Sequence, residues 1–323
     1  MKIGIGKIRR LQQCATESGH FIILAIDHRG NLRRALDPDN PEQVTYERMV
    51  DFKREVAAAL SPAASAILLD PVYGAAQSVA AGAVSGHSGL VVAVEKTGYT
   101  GDPTARESRI LPGWGVEQIG RMGASAVKLL IYYHPDAANA GEQEKLVEGI
   151  GDVCSRLEIP FFLEPLSYSL TDGQKSLAAD ERRAVVIETA RRLTALGVDV
   201  LKAEFPVDST VIEDEAEWAD ACSDLSAASR VPWVLLSAGV TFETYERQTI
   251  IACRAGASGV MAGRAIWNEA AQLEGSSRRD FLRRTASTRL MRLEETCKAY
   301  GRPWTSFYPG LEMTAGEGWY ETY

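Results

Sequence analysis

Lys202 lies in the stretch VDVLKAEF, whose β-branched and apolar residues are typical of a buried strand. A buried ammonium group loses hydration that it cannot easily replace, so a lysine in such a place is either paired or used in chemistry. Lys128 and Glu164 stand in two similar apolar runs earlier in the chain. Each of these three charged residues stands within an apolar run of the kind that forms a buried strand. This common placement predicts that the two lysines and the carboxylate share one site.

The chemistry open to this set is that of an amine nucleophile. A lysine in a dry pocket beside a second cation is expected to have a lowered pKa, and its free amine attacks a ketone to form a Schiff base. We interpret Lys202 as the candidate nucleophile and Lys128 as the neighbouring cation. The iminium would act as an electron sink for cleavage of a carbon–carbon bond, with Glu164 moving the hydroxyl proton.

Short apolar runs alternate with longer amphipathic segments along the chain, which is typical of βα units around a parallel sheet. No Pro/Ser-rich linker or second composition regime separates them. The pattern predicts an α/β fold, a single-domain (β/α)8 TIM barrel, in preference to a doubly wound sheet. The eight candidate strands are FIILAID (21–27), AILLD (66–70), LVVAVEK (90–96), AVKLLIYY (126–133), PFFLEP (160–165), VDVLKAEF (198–205), PWVLLSAG (232–239) and SGVMAGRAIW (258–267).

Polar residues stand near the carboxyl ends of these candidate strands. In a barrel those ends converge on one mouth, where active sites of this fold are built. A lone strand-end charge is more often a rim salt bridge than a catalyst, but opposite charges gathered at one mouth seldom serve stability. The set therefore favours a functional pocket. Its members are Asp27, Asp70, Glu95, Lys128, Glu164, Lys202, Ser237 and Arg264.

Strand alternation predicts which of these side chains point inward, because residues two apart share a face. Lys202 shares its face with Val200 and Glu204, although Glu204 could simply neutralise Lys202 or a neighbour. Glu95 and Lys96 are adjacent and point opposite ways. At most one of these two is therefore expected inside the barrel, and the other is expected in a salt bridge to a helix.

Two loops are suited to binding an anion. SAG at 237–239 offers backbone N–H groups where the next helix begins, and AGR at 262–264 adds a glycine and a guanidinium. The loops follow the seventh and eighth candidate strands, the usual phosphate position in such barrels. Their joint position predicts phosphate contacts.

Metal chemistry is not expected from the histidine pattern. A zinc site needs ligands at helical or hairpin spacing. No pair of histidines has such spacing among His20, His28, His87 and His134. We therefore expect neither a metal nor another cofactor.

Composition restricts the class of partner. The chain of 323 residues carries a formal net charge of −8, whereas nucleic-acid and anionic-membrane binders need a basic surface. A small anionic substrate stays compatible, because a few local Arg and Lys residues can dominate a pocket. The five scattered cysteines and the lack of a signal-peptide-like or membrane-length apolar run predict a cytoplasmic protein.

We expect residues 1–300 to form the barrel and residues 301–323 a tail rich in Trp, Tyr and Gly. The barrel is expected to close with an amphipathic helix at 276–300. The tail is expected to pack on the outside of the barrel or on a neighbouring subunit of a homo-oligomer.

Eight motifs follow one another along the chain: AIDHRG at 25, VEKTGYT at 94, RILPGW at 109, GASAVKLLIYYHPD at 123, PFFLEP at 160, DVLKAEFPV at 199, LLSAGVTFE at 235 and GVMAGRAIW at 259. Through these motifs the chain resembles the class I tagatose-1,6-bisphosphate aldolase family across nearly the whole barrel. The resemblance implies a Schiff-base lysine at Lys202, a proton-transferring carboxylate at Glu164, an assisting lysine at Lys128 and a substrate-hydroxyl contact at Asp27. It implies phosphate contacts near Ser237, Gly239, Gly263 and Arg264.

The implied reaction is reversible cleavage of a ketohexose bisphosphate to dihydroxyacetone phosphate and glyceraldehyde 3-phosphate. His28 replaces the glutamine usual in the family, and His28 and Arg29 are expected at the mouth, against the far end of the substrate. A related family cleaves 6-deoxy-6-sulfofructose 1-phosphate to dihydroxyacetone phosphate and sulfolactaldehyde, and sulfonate and phosphate are both tetrahedral anions that Arg binds. That substrate, another phospho-keto acid, and a non-catalytic sugar-phosphate sensor are the alternative hypotheses.

Overall fold

The computed structural model of the chain describes residues 3–174, 177–311 and 316–321. Eight parallel strands in these ranges form a closed barrel in sequence order, and β1 pairs with both β2 and β8. The predicted (β/α)8 barrel is confirmed. The strands are β1 Phe21–Ala25, β2 Ala66–Leu69, β3 Gly89–Ala93, β4 Ala126–Tyr132, β5 Phe161–Leu166, β6 Val200–Ala203, β7 Trp233–Leu236 and β8 Gly259–Ala262.

Helices lie between the strands and after them. Thr45, Asp214 and Thr241 cap three of these helices, each accepting a backbone N–H in the first turn. No helix in the described ranges is long and apolar enough to cross a membrane. The helices are α1 Ile5–Cys14, α2 Gly30–Leu36, α3 Tyr46–Leu60, α4 Ala75–Ala80, α5 Val116–Arg121, α6 Ala140–Arg156, α7 Ala179–Leu193, α8 Glu215–Ala228, α9 Phe242–Arg254, α10 Arg264–Trp267, α11 Gly275–Asp280 and α12 Ser287–Tyr300, the last two joined by a π-helical turn at Phe281–Ala286.

The eighth strand is much shorter than predicted. β8 ends at Ala262, and the chain turns at Gly263 into α10, so the prediction of a strand to Trp267 is wrong. Ala265, Ile266 and Trp267 are all buried. A short apolar run that is buried on every side does not distinguish a helix from a strand, which explains the error.

The strand residues divide between two cores by alternation. Ala126, Phe162 and Val200 pack inside the barrel, whereas Leu129 and Leu201 pack outward against the helices. Lys128, Glu164 and Lys202 each follow an inward residue by two positions, on β4, β5 and β6. The same period of two therefore turns all three charged side chains into the barrel.

Helix α1 and the first part of the predicted tail close the other end of the barrel. Trp304 and Tyr308 are each 2% exposed and pack with Leu11 in the inner core. Beside them the buried ammonium of Lys7 bonds to Asp199, 2.7 Å from Oδ2. Residues 312–315 and 322–323 of the predicted tail lie outside the described residues.

Candidate active site

Lys202 lies at a cavity of about 370 Å³ in the mouth of the barrel. The residue is 4% exposed, and its Nζ is 2.8 Å from Oε1 of Glu164 on the neighbouring strand. β5 and β6 pair side by side, which brings these two inward side chains together. The amine therefore has both a carboxylate partner and open space in front of it.

Lys128 is fully buried and surrounded by carboxylates. Its Nζ lies 2.8 Å from an oxygen of each of Asp27, Glu95 and Glu164. Burial alone would lower the pKa of Lys128, but Asp27, Glu164 and Glu95 together raise its pKa well above the ordinary value. Lys128 is thus a permanent cation at the centre of the site.

Glu164 bridges the two lysines. One oxygen is 2.8 Å from Lys202 and the other is 2.8 Å from Lys128. Burial would raise the pKa of Glu164, but the two ammonium groups lower it below the ordinary value. The pKa of Asp27 is lowered in the same way, with burial outweighed first by Lys128 and then by Lys202. Both groups are carboxylates at neutral pH, so each can accept a proton.

His28 lines the cavity beside Asp27 as a neutral imidazole. Burial lowers its pKa to about 4, against the pull of Asp27 and with help from Arg264 and Lys202. The ring packs edge-on against Trp267 at a centroid distance of 5.2 Å. Its Nδ1 is 3.8 Å from Asp27 Oδ1 and is buried without a hydrogen-bond partner among the described residues.

Arg29 also lines the cavity, but its guanidinium makes contacts with protein groups. Nη2 donates to the backbone carbonyl of Glu95 at 2.8 Å, and Nε is 3.8 Å from Asp70 Oδ1. The sequence-based role of Arg29 at the far end of the substrate stays a prediction, and its observed partners are the backbone and a buried carboxylate.

The two candidate anion loops meet at the carboxyl ends of β7 and β8. The backbone N–H of Gly263 donates to Ser237 Oγ at 3.2 Å, and Arg264 Nη2 donates to the carbonyl of Ala238 at 3.3 Å. Nε of Arg264 is buried with no hydrogen-bond partner among the described residues. Gly239 adopts a left-handed φ of +84° next to this guanidinium. Ser237, Gly263 and Arg264 line the same cavity as Lys202, so the two loops and this amine share one space.

Residues at the cavity that were not predicted as site residues include Arg34, Lys96 and Tyr132, and Glu95 was predicted only as a member of the polar set at the mouth. Glu95 bonds to Lys128, and Arg34, Lys96 and Tyr132 line the cavity. β3 ends at Ala93, so strand alternation no longer applies to Glu95 and Lys96. Both residues line the cavity, but Glu95 is 6% exposed and bonds to Lys128, whereas Lys96 is exposed at the mouth. Only Glu95 therefore enters the barrel, in agreement with the expectation that at most one would. No polarity pattern marks Arg34, which lies on α2 behind the first strand.

Glu204 lies outside this site. Its carboxylate accepts from Arg182 at 3.2 Å and from the backbone N–H of Ser167 at 2.7 Å. Because β6 ends at Ala203, the alternation that turns Lys202 inward does not extend to Glu204.

A hairpin-like loop after β3 covers one side of the mouth. Antiparallel bridges join Glu95 to Ile110 and Thr100 to Glu107. Near its tip the guanidinium of Arg106 stacks on Tyr99, Tyr132 and Tyr168, with Cζ 4.5–5.6 Å from the ring centroids. Cation–π contacts of this kind are worth about 0.5–2 kcal/mol each. Arg106 therefore fastens the loop against Tyr132, a wall of the cavity.

Known proteins similar to this chain include bacterial aldolases. The tagatose 1,6-diphosphate aldolase 2 of Streptococcus mutans is 34% identical over 320 residues, covering 93% of this chain and 96% of that protein. A tagatose 1,6-diphosphate aldolase of Streptococcus agalactiae is 35% identical over 278 residues, covering 81% of this chain and 85% of that protein.

Solved structures support the same fold at lower sequence identity. The fructose-bisphosphate aldolase of Plasmodium falciparum superposes with a TM-score of 0.72 at 12% identity, covering 94% of this chain and 98% of that one. An archaeal fructose 1,6-bisphosphate aldolase superposes with a TM-score of 0.60 at 19% identity, covering 91% and 99%. The family model described as DeoC/LacD family aldolase matches residues 21–269. With its barrel, its lysine pair and these relatives, the chain belongs to the DeoC/LacD aldolase family.

Proposed function

We propose that this protein is a class I aldolase that cleaves a ketohexose bisphosphate of the tagatose 1,6-bisphosphate type through a Schiff base at Lys202. The observation that carries the proposal is the position of Lys202 Nζ, which faces the cavity 2.8 Å from Glu164, and Glu164 in turn forms an ion pair with Lys128. The names of the streptococcal relatives support the substrate. The products are dihydroxyacetone phosphate and glyceraldehyde 3-phosphate.

Schiff-base formation begins with proton transfer from Lys202 to Oε1 of Glu164, which is at hydrogen-bond distance. The free amine attacks C2 of the ketose, and the carbonyl oxygen takes the proton back as the carbinolamine forms. Loss of water then gives an iminium.

Carbon–carbon cleavage follows from the iminium. Glu164, again a carboxylate, removes the proton of the C4 hydroxyl, and the electron pair of the C3–C4 bond moves toward the iminium nitrogen. The aldehyde product leaves, and an enamine of dihydroxyacetone phosphate stays on Lys202. Protonation at C3 and hydrolysis by one water release the ketone and restore the amine.

Lys128 and Asp27 hold the reacting groups by charge. Lys128 stabilises negative charge on Glu164 and on substrate oxygen, because its ammonium is buried and permanently charged. Asp27 stands on the other side of Lys128 as an acceptor for a substrate hydroxyl. The buried Nδ1 of His28 is a further polar contact for the substrate.

The phosphate-binding part of the proposal uses Ser237, Gly239, Gly263 and Arg264. Backbone N–H groups and a guanidinium on one side of the cavity are donors suited to a phosphate. The cavity volume of about 370 Å³ is within the range of pockets that hold small ligands. Arg264 Nε, buried without a partner among the described residues, gains one when the anion binds.

Borohydride trapping tests the covalent step. Reduction in the presence of dihydroxyacetone phosphate is expected to leave a three-carbon adduct on Lys202, located by peptide mass spectrometry. Lys202→Ala should lose both adduct and turnover. Lys96→Ala is the matched control, because Lys96 lines the same cavity without the contact to Glu164 made by Lys202, and it should still be labelled at Lys202. An adduct on another residue, or none, contradicts the proposal.

Turnover of tagatose 1,6-bisphosphate, fructose 1,6-bisphosphate and 6-deoxy-6-sulfofructose 1-phosphate tests the substrate. We expect the two bisphosphates to be cleaved, and preference for the sulfonate would redirect the proposal to that sugar. Trapping without turnover of any substrate would support the sensor hypothesis. We further propose a cytoplasmic homo-oligomer; the described cysteines are all free thiols, as in reducing compartments.

A further inference from the structure

A buried ion pair lies behind the first active-site loop. Lys53, on α3, is fully buried and donates to the backbone carbonyls of Ile26 at 2.7 Å and His28 at 2.8 Å. Its third bond goes to Asp70 Oδ2. All three protons of the ammonium are therefore used, two of them on the carbonyls that flank Asp27.

Asp70 connects this lysine to a second part of the site. Its Oδ1 accepts the backbone N–H groups of Val72 and Tyr73 at 2.9 Å and lies 3.8 Å from Arg29 Nε. Arg29 in turn donates to the carbonyl of Glu95 at 2.8 Å. The contacts run from Lys53 through Asp70 and Arg29 to the backbone of Glu95.

Asp27 and Glu95 are two of the three carboxylates on Lys128, each with an oxygen 2.8 Å from its Nζ. Asp27 lies beyond the end of β1, where strand pairing no longer holds the backbone. Glu95 lies beyond the end of β3, where its backbone is held by an antiparallel bridge to Ile110 and by the bond from Arg29. A buried ion pair is costly to desolvate and is often replaceable by apolar residues without loss of stability. The contacts of the Lys53–Asp70 pair with the segments that carry Asp27 and Glu95 suggest a role in positioning these carboxylates rather than in stability.

We infer that Lys53, Asp70 and Arg29 are positioning residues, which fix the backbone at Asp27 and Glu95 so that both carboxylates meet Lys128 in the geometry that catalysis needs. The inference rests on the proposed function for its kinetic consequences, whereas the positions of the carboxylates can be measured independently. None of the three residues needs to touch the reacting atoms.

The charge-neutral double variant Lys53→Met/Asp70→Asn tests the inference. Asparagine can still accept from Val72 and Tyr73, but the carbonyls of Ile26 and His28 lose their donor. Misplacement by about 1 Å can cost on the order of 10²-fold in rate, so we expect kcat to fall by about that factor with a smaller change in KM. The borohydride adduct at Lys202 should still form, because Lys202 and Glu164 are held by β6 and β5.

The matched control is Lys7→Met/Asp199→Asn, which removes a buried ion pair at the opposite end of the barrel. This variant is expected to lower Tm to a similar extent while changing kcat less than about threefold. A loss of kcat in both double variants, in proportion to Tm, would show that Lys53 acts only through stability. If Lys53→Met/Asp70→Asn does not fold, Arg29→Met supplies the test at the Glu95 carbonyl alone.

A crystal structure of the variant decides the positional claim without any substrate. We expect Asp27 to move away from its 2.8 Å contact with Lys128, and an unmoved Asp27 with wild-type kcat overturns the inference. Failure of the wild-type protein to form an adduct at Lys202 would instead contradict the proposed function. In that case the position of Asp27 in the variant still confirms or overturns the positioning role.

Discussion

Gly239 lies so close to Arg264 that a Cβ at this position would stand 2.8 Å from the guanidinium carbon. Real Cβ atoms do not approach so closely, so the arginine can occupy its place only because residue 239 lacks a side chain. The φ of +84° at Gly239 adds a second reason for glycine.

Gly239→Ala is therefore expected to push Arg264 out of the anion site and raise KM. Loss of a charge-assisted hydrogen bond costs about 1.5–3 kcal/mol, or roughly 10- to 100-fold in KM. Gly82→Ala is the control, because Gly82 also has a positive φ of +64° but no atom within 4 Å of the added Cβ. Steady-state kinetics report the displacement of Arg264, and Tm reports the backbone strain that alanine causes at a positive φ. An unchanged KM in Gly239→Ala would exclude Arg264 from phosphate binding.

Glu164→Gln should separate covalent binding from bond cleavage. The amide keeps the size of Glu164 but cannot accept the proton of the C4 hydroxyl, and general-base catalysis contributes about 10²–10⁴-fold. We expect kcat to fall in that range, while borohydride should still trap dihydroxyacetone phosphate on Lys202, although more slowly because Glu164 also accepts the lysine proton. Asp224→Gln serves as an exposed control, since Asp224 pairs with Arg183 on the outer surface. Full activity in Glu164→Gln would assign the proton transfer to another residue.

His28 should make stability depend on pH on the acidic side of neutrality. Its folded pKa of about 4 is below the ordinary value of 6.5, so the unfolded chain binds the proton first and stability falls as pH decreases from 6.5 to 4. Linkage predicts a loss of about 2 kcal/mol from this group between pH 7.5 and pH 5. Urea unfolding at both pH values should show a smaller loss in His28→Gln. The exposed His87→Gln should behave as wild type, and an equal loss in all three proteins would refute the assignment.

Arg106→Lys is expected to loosen the loop after β3. Lysine keeps the charge but lacks the planar guanidinium that stacks on the three tyrosines, so Tyr132 would be held less firmly at the cavity wall. We expect KM to rise by about 3- to 10-fold, a loss of about 1 kcal/mol, with kcat less affected. Arg109→Lys is the control on the same loop, because Arg109 is exposed and paired with Glu107. A KM that does not change in Arg106→Lys would show that the stack does not shape substrate binding.

The barrel and its charged centre could be predicted from local sequence because a single repeating property governs both. Strand residues alternate between two faces, so the apolar rows on β4, β5 and β6 already orient Lys128, Glu164 and Lys202 inward. The order of the strands around a barrel then brings the three side chains together. The extent of β8 was not predictable in this way, since a buried helix and a buried strand have the same apolar composition.

The sequence by itself determined which strands form the barrel and which of their polar side chains face its interior, because both follow from the spacing of apolar residues along the chain. Only the tertiary structure decided the partners of residues beyond the strand ends. Glu95 bonds to Lys128, Arg29 to the backbone of Glu95, and Lys53 to the carbonyls beside Asp27. Those contacts join segments far apart in the chain, and loop geometry rather than residue pattern brings their atoms within bonding distance.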